Sequence, residues 1–319
     1  MAPSPLDKAI RAVLRTSLAL KPQERMLIIA DEALSDIAEI VWQQAKRITK
    51  NLSLLKYIPV DGVENRLSQI VGNSLRLSDA CLMISTKYIE PSELDRARRN
   101  GCRFLVLGNA TRRLIERSFA TNYVRISMLS RKISDLLAIG NHLTLTSSYG
   151  TQISIAISKL MATSETGHAQ NPGECSLLPA GESCLILKNS NSMNGRIVLN
   201  RLVGQRKRLS ALVALSVKDG RVTQIKGQEA AEQLRKDLRK FGPEGRRIYE
   251  FGIGTNDKVS FGNTSQEDEK ASGTIHISFG PDRKTKVHGK SLAAIKGIIL
   301  KPTITIDGKT ILKDGRFLI

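Results

Sequence analysis

Aromatic residues are scarce in this chain: phenylalanine, tyrosine and tryptophan make up only 4% of 319 residues, with a single tryptophan. Single-stranded nucleic-acid binders stack bases on interleaved aromatic side chains, and that class is poorly served here. Cysteine is also sparse. The four residues Cys81, Cys102, Cys175 and Cys184 include no CxxC step, which argues against a disulfide framework or a zinc ribbon. The N-terminal stretch MAPSPLDKAIRAVL lacks the apolar core of a secretory signal, and no apolar run approaches the length of a bilayer span. Neither GxGxxG nor GxxxxGK[ST] occurs after a strand-like run, so no nucleotide site is assigned. Internal repeats and low-complexity tracts are absent too. The expectation is a soluble protein of a reducing, cytoplasmic compartment, with no membrane contact.

What the chain has in excess is positive charge: 49 Lys and Arg against 30 Asp and Glu, a net charge of +19. Such a balance suits an acidic partner. The basic residues are spread along the chain, with only short clusters at Arg206-Lys207-Arg208 and Arg246-Arg247. Nucleic acid is the weakest of the acidic partners, since no binding motif or dense basic stripe accompanies the charge.

The first 130 residues alternate two periodicities. Leu6, Ile10, Val13, Leu14 and Leu18 recur at helical spacing, and Met26–Ala30 is then a short apolar run of buried-strand type. Asp31 is placed to cap a helix carrying Ile37, Ile40, Val41 and Ala45. Strands are expected at Leu52–Val60, Ala80–Ser85 and Arg103–Leu107, with helices at Glu64–Val71 and Pro91–Arg99. This predicts an α/β domain, a doubly wound parallel sheet, over 1–130. A linking helix, Arg131–Gly140, follows. Strict alternation then replaces helical spacing, beginning with a hairpin at Leu143–Thr146 and Ile153–Ile157. Later strands are expected at Ser183–Lys188, Gly195–Leu199, Ala211–Val217, Thr223–Ile225, Thr274–Phe279, Gly297–Leu300 and Thr303–Ile306. One amphipathic helix, Gly227–Lys240, interrupts them. Residues 131–319 are therefore a β-rich α+β domain.

Two carboxylates and one imidazole stand beside glycines in this second half. Glu174 ends the tight turn Asn171-Pro172-Gly173-Glu174, Glu250 precedes Phe251-Gly252-Ile253-Gly254, and His276 lies on the polar face of Thr274–Phe279. Any one of them alone reads as an ordinary surface or hydrogen-bonded residue. Together they are donor types that a divalent metal takes.

The order of motifs resembles a known family. A Gly-Glu step, Asp219-Gly220-Arg221, E-x-GIG-x-N from Glu250, EKA-x-GT-x-HI-x-x-G from Glu269, KPT-x-x-x-DGK from Lys301 and a final Asp314-Gly315-Arg316 are similar to the aminopeptidase T family of metallopeptidases. The iron-dependent dihydroxypyridine dioxygenases share its fold and part of its pattern. The resemblance implies two metal ions held by two glutamates, a histidine and a His-x-Asp pair, with Glu174, Glu250 and His276 in the first three places. It also implies a homodimer. The His-x-Asp places read Ala294 and Lys296, and neither offers a metal donor. No tyrosine stands between His276 and Pro302, where the family has a catalytic one. His288 could substitute only through a shift of strand register.

Two glutamates left facing each other without a metal would repel, and a lysine could neutralise them. The expectation is a metal-free, cofactor-free site in which Lys296 takes the place of the lost cations, near Glu174 or Glu250. The vestigial ligands are Glu174, Glu250 and His276, and Arg246 and Arg247 join them as ligand-binding candidates. Three functions stay open. One is a non-catalytic, aminopeptidase-like binder of an acidic peptide, such as a precursor presented to a modifying enzyme. The others are a metal-dependent hydrolase or oxygenase with a rearranged ligand set, and a nucleic-acid-binding protein.

Overall fold

The computed structural model describes residues 4–58, 69–87, 94–187, 191–203, 212–259, 264–280, 286–287, 290–291 and 295–319. The expected starts of the helices at Glu64 and Pro91, the cluster Arg206-Lys207-Arg208, His288 and Ala294 lie outside them. The chain forms two compact units, Met1–Met128 with Glu165–Ala180, and Leu129–Ser164 with Gly181–Ile319.

The first unit is built on a five-stranded parallel sheet. Strands β1 (Met26–Asp31), β2 (Leu52–Tyr57), β3 (Ala80–Ile84) and β4 (Arg103–Leu107) stand in the order β2-β1-β3-β4, and Cys175–Leu177 pairs with the open edge of β4. Every residue of β1, β3 and β4 is buried, as expected for strands covered on both faces. The fifth strand corrects the division at residue 130: residues 165–180 return to the first unit. Their strand is three residues long, too short for its alternation to stand out from a loop.

Local chemistry fixes the helices. Ser4 and Asp7 form a reciprocal capping box on Pro5–Ala12, and the Thr111 hydroxyl caps Arg112–Phe119. Asp31 does not cap the next helix with its side chain. It is fully buried, and its carboxylate accepts hydrogen bonds from the Thr86 backbone N–H at 2.5 Å and the Thr86 hydroxyl at 2.7 Å. The pair that ties this unit together is Arg103 with Glu24. The guanidinium donates to both carboxylate oxygens, at 2.6 and 2.9 Å, and to the Leu18 carbonyl at 2.9 Å.

The second unit carries two antiparallel sheets. Eight strands run in the spatial order Arg221–Lys226, Val213–Lys218, Met193–Leu199, Gln152–Ala156, His142–Ser147, Pro302–Ile306, Lys309–Lys313 and Arg316–Phe317. Six run in the order Arg201–Leu202, Ile295–Ile299, Ile275–Phe279, Ile248–Gly254, Glu182–Ile186 and Met161–Glu165. Leu143, Ile153, Ile197 and Leu215 of the first sheet share one core with Leu185, Phe251, Ile277 and Ile299 of the second. Helix Glu229–Arg239 adds Ala231, Leu234 and Leu238 to it. The chain is thus an α/β domain with a parallel sheet followed by a β-rich domain. Among the described residues, no helix is long and apolar enough to cross a membrane.

Removing a partner from a buried ion pair costs about 3–5 kcal/mol. Arg103→Ala should therefore destabilise the first unit by about that amount in urea unfolding, because Glu24 is left without its fork. Arg103→Lys should recover less than half of the loss, since one ammonium cannot match both carboxylate oxygens.

Candidate functional site

Alternation gives the six-stranded sheet two unlike faces. Leu185, Phe251, Ile253, Ile275, Ile277 and Phe279 go to the core, so Glu182, Cys184, Glu250, Gly252, His276, Ser278 and Lys296 share the opposite face. Strand register then sets them in rows. Cys184, Gly252 and His276 are direct cross-strand neighbours, and Glu250, Ser278 and Lys296 form the adjoining row.

Within these rows the polar groups bind one another. The Ser278 hydroxyl donates to Glu250 Oε1 at 2.8 Å, and Lys296 Nζ stands 3.3 Å from the same oxygen. A second element completes the set. Helix Ser265–Lys270, capped by the Thr264 hydroxyl, brings Glu269 and Lys270 to this face. Lys296 Nζ donates to Glu269 Oε2 at 2.7 Å, and Lys270 pairs with Glu182. Lys296 and Lys270 are both buried, and the side chains of Glu182, Glu250 and Glu269 are only 12–14% exposed. The same helix holds the fully buried Asp268, which pairs with Arg201 at 2.8 Å.

His276 lies in the middle of this set with no exposed surface. Its Nε2 is 3.4 Å from Glu250 Oε1 and 3.7 Å from Glu182 Oε2. Neither ring nitrogen has a hydrogen-bond partner, nor does Glu182 Oε2. The ring fits because its neighbour is Gly252: a Cβ there would lie 1.9 Å from His276 Cε1.

The electrostatics follow from burial against charge. Burial pushes the Glu182 carboxyl up, but Lys270 first, then His276 and Lys296, outweigh it and bring it down to about 2. Burial also opposes ionisation of Glu269, and Lys296 ahead of Lys270 holds it below its ordinary value. The Cys184 thiol is pushed well above the usual range, by burial first and then by the carboxylates of Glu182 and Glu250.

These positions amend the reading of the sequence. Glu250, His276 and Lys296 come together, and Lys296 is beside Glu250 and Glu269. Glu174 belongs elsewhere, to the first unit, where it closes its own turn by accepting from the backbone N–H groups of Gln170 and Asn171 at 2.8 and 3.0 Å. The first glutamate of the site is Glu182, from the next Gly-Glu step. Its signal was present in the sequence: Glu182 and Cys184 alternate with Ser183 and Leu185 at the head of an expected strand. Arg246 and Arg247 lie at the turn after helix Glu229–Arg239. Arg246 donates to the Thr223 carbonyl at 3.1 Å and Arg247 to Glu244 at 2.9 Å, which fastens the turn Gly242–Arg246. Glu269 and Lys270 were legible only as part of a motif, because their role depends on where a short helix docks.

The family pattern of 2,5-dihydroxypyridine 5,6-dioxygenase matches residues 20–319. The chain belongs to that family. Its fold is that of 2,5-dihydroxypyridine dioxygenase from Pseudomonas putida, with a TM-score of 0.80 and 17% identity over 99% of this chain and 98% of that one. Wild-type AmpT from Thermus thermophilus is also similar, with a TM-score of 0.69 and 16% identity over 99% of each chain. No curated protein sequence matches.

The residues present do not fit the metal centre that this kinship implies. The Lys296 ammonium, with that of Lys270, already engages all three glutamates. A divalent ion about 3 Å from an ammonium meets a repulsion on the order of 10 kcal/mol at an effective dielectric constant of about 20. Glu182, Cys184 and His276 do place ligand atoms within 4.8 Å of one another. Metals bind cysteine as thiolate, however, and burial with the neighbouring carboxylates of Glu182 and Glu250 opposes forming that thiolate here.

A carboxyl with a depressed folded-state pKa stabilises the fold above its unfolded value near 4.3, and that contribution is lost as pH falls through the folded value. The denaturation midpoint of the second unit should therefore hold from neutrality to about pH 5 and fall towards pH 2. Glu182→Gln should flatten that acid limb, as read from urea unfolding at stepped pH. Gly252→Ala tests the packing, because the methyl and the imidazole cannot share one space. A cost of about 1–3 kcal/mol is expected, with the His276 ring resonances shifted in NMR spectra.

Proposed function

We propose that this protein is a non-catalytic member of its family that binds an acidic peptide segment. One observation carries the reading: a buried ammonium, Lys296, sits between Glu250 and Glu269, and the resemblance of the sequence would put a metal ligand at its position. An ammonium supplies positive charge and hydrogen-bond donors. It has no coordination position in which water or a substrate oxygen could be activated.

The choice of partner rests on charge and kinship. The net charge of +19 favours an acidic ligand, and a fold shared with AmpT, read as an aminopeptidase, favours a peptide. The outer face of the eight-stranded sheet adds a local feature. Arg196, Ser216, Gln224 and Lys226 line a depression there, with no carboxylate among its lining residues. A precursor peptide presented to a modifying enzyme is the kind of partner such a protein serves, and a homodimer in the cytoplasm is the form expected for it.

A second reading has one observation in its favour, the convergence of Glu182, Cys184 and His276 on one point. It makes the protein a metal-dependent hydrolase or oxygenase with a rearranged ligand set.

Metal analysis of protein purified without chelator separates the two. The binder should carry substoichiometric metal and show no peptidase or ring-cleaving activity with added Zn2+ or Fe2+. One equivalent of metal that tracks with turnover overturns the proposal. Titration with glutamate-rich peptides should give saturable binding that weakens with salt less steeply than DNA binding does, as main-chain pairing along an exposed strand would give. Tighter binding to DNA that collapses steeply with salt would instead mark a nucleic-acid binder.

A further inference from the structure

We propose that the outer face of the eight-stranded sheet receives a phosphate monoester group between Arg196 and Lys226, carried there by a phosphorylated acidic peptide. The peptide as carrier rests on the proposed function. The oxyanion site itself does not, and it uses none of the residues around Lys296.

The shape of the site follows from three neighbouring strands. Ile197, Leu215 and Ile225 turn into the core, so Arg196, Ala214, Ser216, Gln224 and Lys226 face outward. Register sets Arg196, Ser216 and Gln224 side by side in one row, and Lys226 opposite Ala214 in the next. The middle strand, Val213–Lys218, thus offers only two short side chains here, both half-buried. The long, exposed ones stand on either side, Arg196 on one strand and Gln224 with Lys226 on the other. They wall a hollow of about 170 Å³ whose floor is Ala214 and Ser216.

The chemistry of the lining points to an anion. Guanidinium, ammonium, carboxamide and hydroxyl can all donate hydrogen bonds. Among the described residues, no hydrogen bond or ion pair engages these four side chains, and no carboxylate lines the hollow. Nearby arginines differ. Arg221 is held by Glu244, Arg235 by the Ile225 carbonyl and Arg246 by the Thr223 carbonyl.

Charge and size narrow the class of anion. A carboxylate brings one charge and two oxygens. A phosphate monoester brings close to two charges and three terminal oxygens, which suits two cations, one of them a planar fork that grips two oxygens at once. Pockets that enclose a whole ligand run to about 300–1,000 Å³, so this hollow holds a group and leaves its carrier outside.

The test is fluorescence anisotropy at physiological ionic strength. Its probes are three forms of one labelled, glutamate-flanked peptide, with phosphoserine, serine or glutamate at the centre. The phosphoserine form should bind the wild-type chain at least about tenfold more tightly than the other two. Arg196→Ala with Lys226→Ala should erase that advantage, and Arg196→Lys should lose part of it with the fork. Lys309→Ala with Lys313→Ala removes as much charge from exposed positions on another strand of the same sheet, and should preserve it. Equal loss in the two double variants would mark diffuse attraction by net charge and overturn the proposal. Inorganic phosphate should compete only at far higher concentration than the unlabelled phosphopeptide, and equal potency overturns the peptide as carrier. Binding of the glutamate form with no phosphoserine advantage overturns this proposal alone. A phosphoserine advantage without any binding of the glutamate form overturns the acidic-peptide reading and upholds the oxyanion site.

Discussion

A buried ammonium is the constraint on which the second unit depends. Taking Lys296 out of water costs several kcal/mol, and only close carboxylates with good geometry repay it. Glu250 and Glu269 do so together, one from a sheet row and one from a docked helix. The helix Ser265–Lys270 therefore cannot be read apart from the sheet. Its Thr264 cap, the buried Asp268–Arg201 pair and the Lys270–Glu182 pair all hold it where Glu269 meets Lys296. Loss of either ion pair would leave a buried charge unpaired.

The two faces of the six-stranded sheet divide the work. The apolar face buries phenylalanine and isoleucine in a core shared with the eight-stranded sheet, which supplies stability without direction. The polar face supplies direction without net stability, since buried ion pairs roughly break even against apolar replacements. Such a face fits a single register. A shift by one residue would turn His276 and Lys296 into the core and send Ile277 and Ile295 the other way. The charged set thereby fixes the pairing of four strands, whatever it binds.

Much of the fold was legible because it rests on local periodicity. The run Met26–Ala30 followed by helical spacing at Ile37, Ile40 and Val41 needs no distant information, and neither does the hairpin at Leu143–Ile157. The failures share one cause, which is dependence on partners far away in sequence. The strand Cys175–Leu177 is defined by the edge of β4, so its residues read as a loop. Glu174 and Glu182 each follow a glycine, and only the tertiary course sends one into a turn of the first unit and the other onto the sheet face. Lys296 was singled out by the resemblance alone, since the run Gly297–Leu300 beside it is continuously apolar and gives no alternation from which to read a face.

On the proposed reading, the exchange of a metal for lysine keeps one property of the site and discards another. A cation beside Glu250 offsets the repulsion between carboxylates, and an ammonium does that as well as a metal ion does. Lewis acidity is different. It needs an empty orbital and an open position, and nitrogen with four bonds has neither. The electrostatic demand that shapes the sheet face is met, while the capacity to polarise a bound oxygen is gone. A fold can then outlive its chemistry without rebuilding its core, because the core answers only to the charge balance at its surface and never to the reaction.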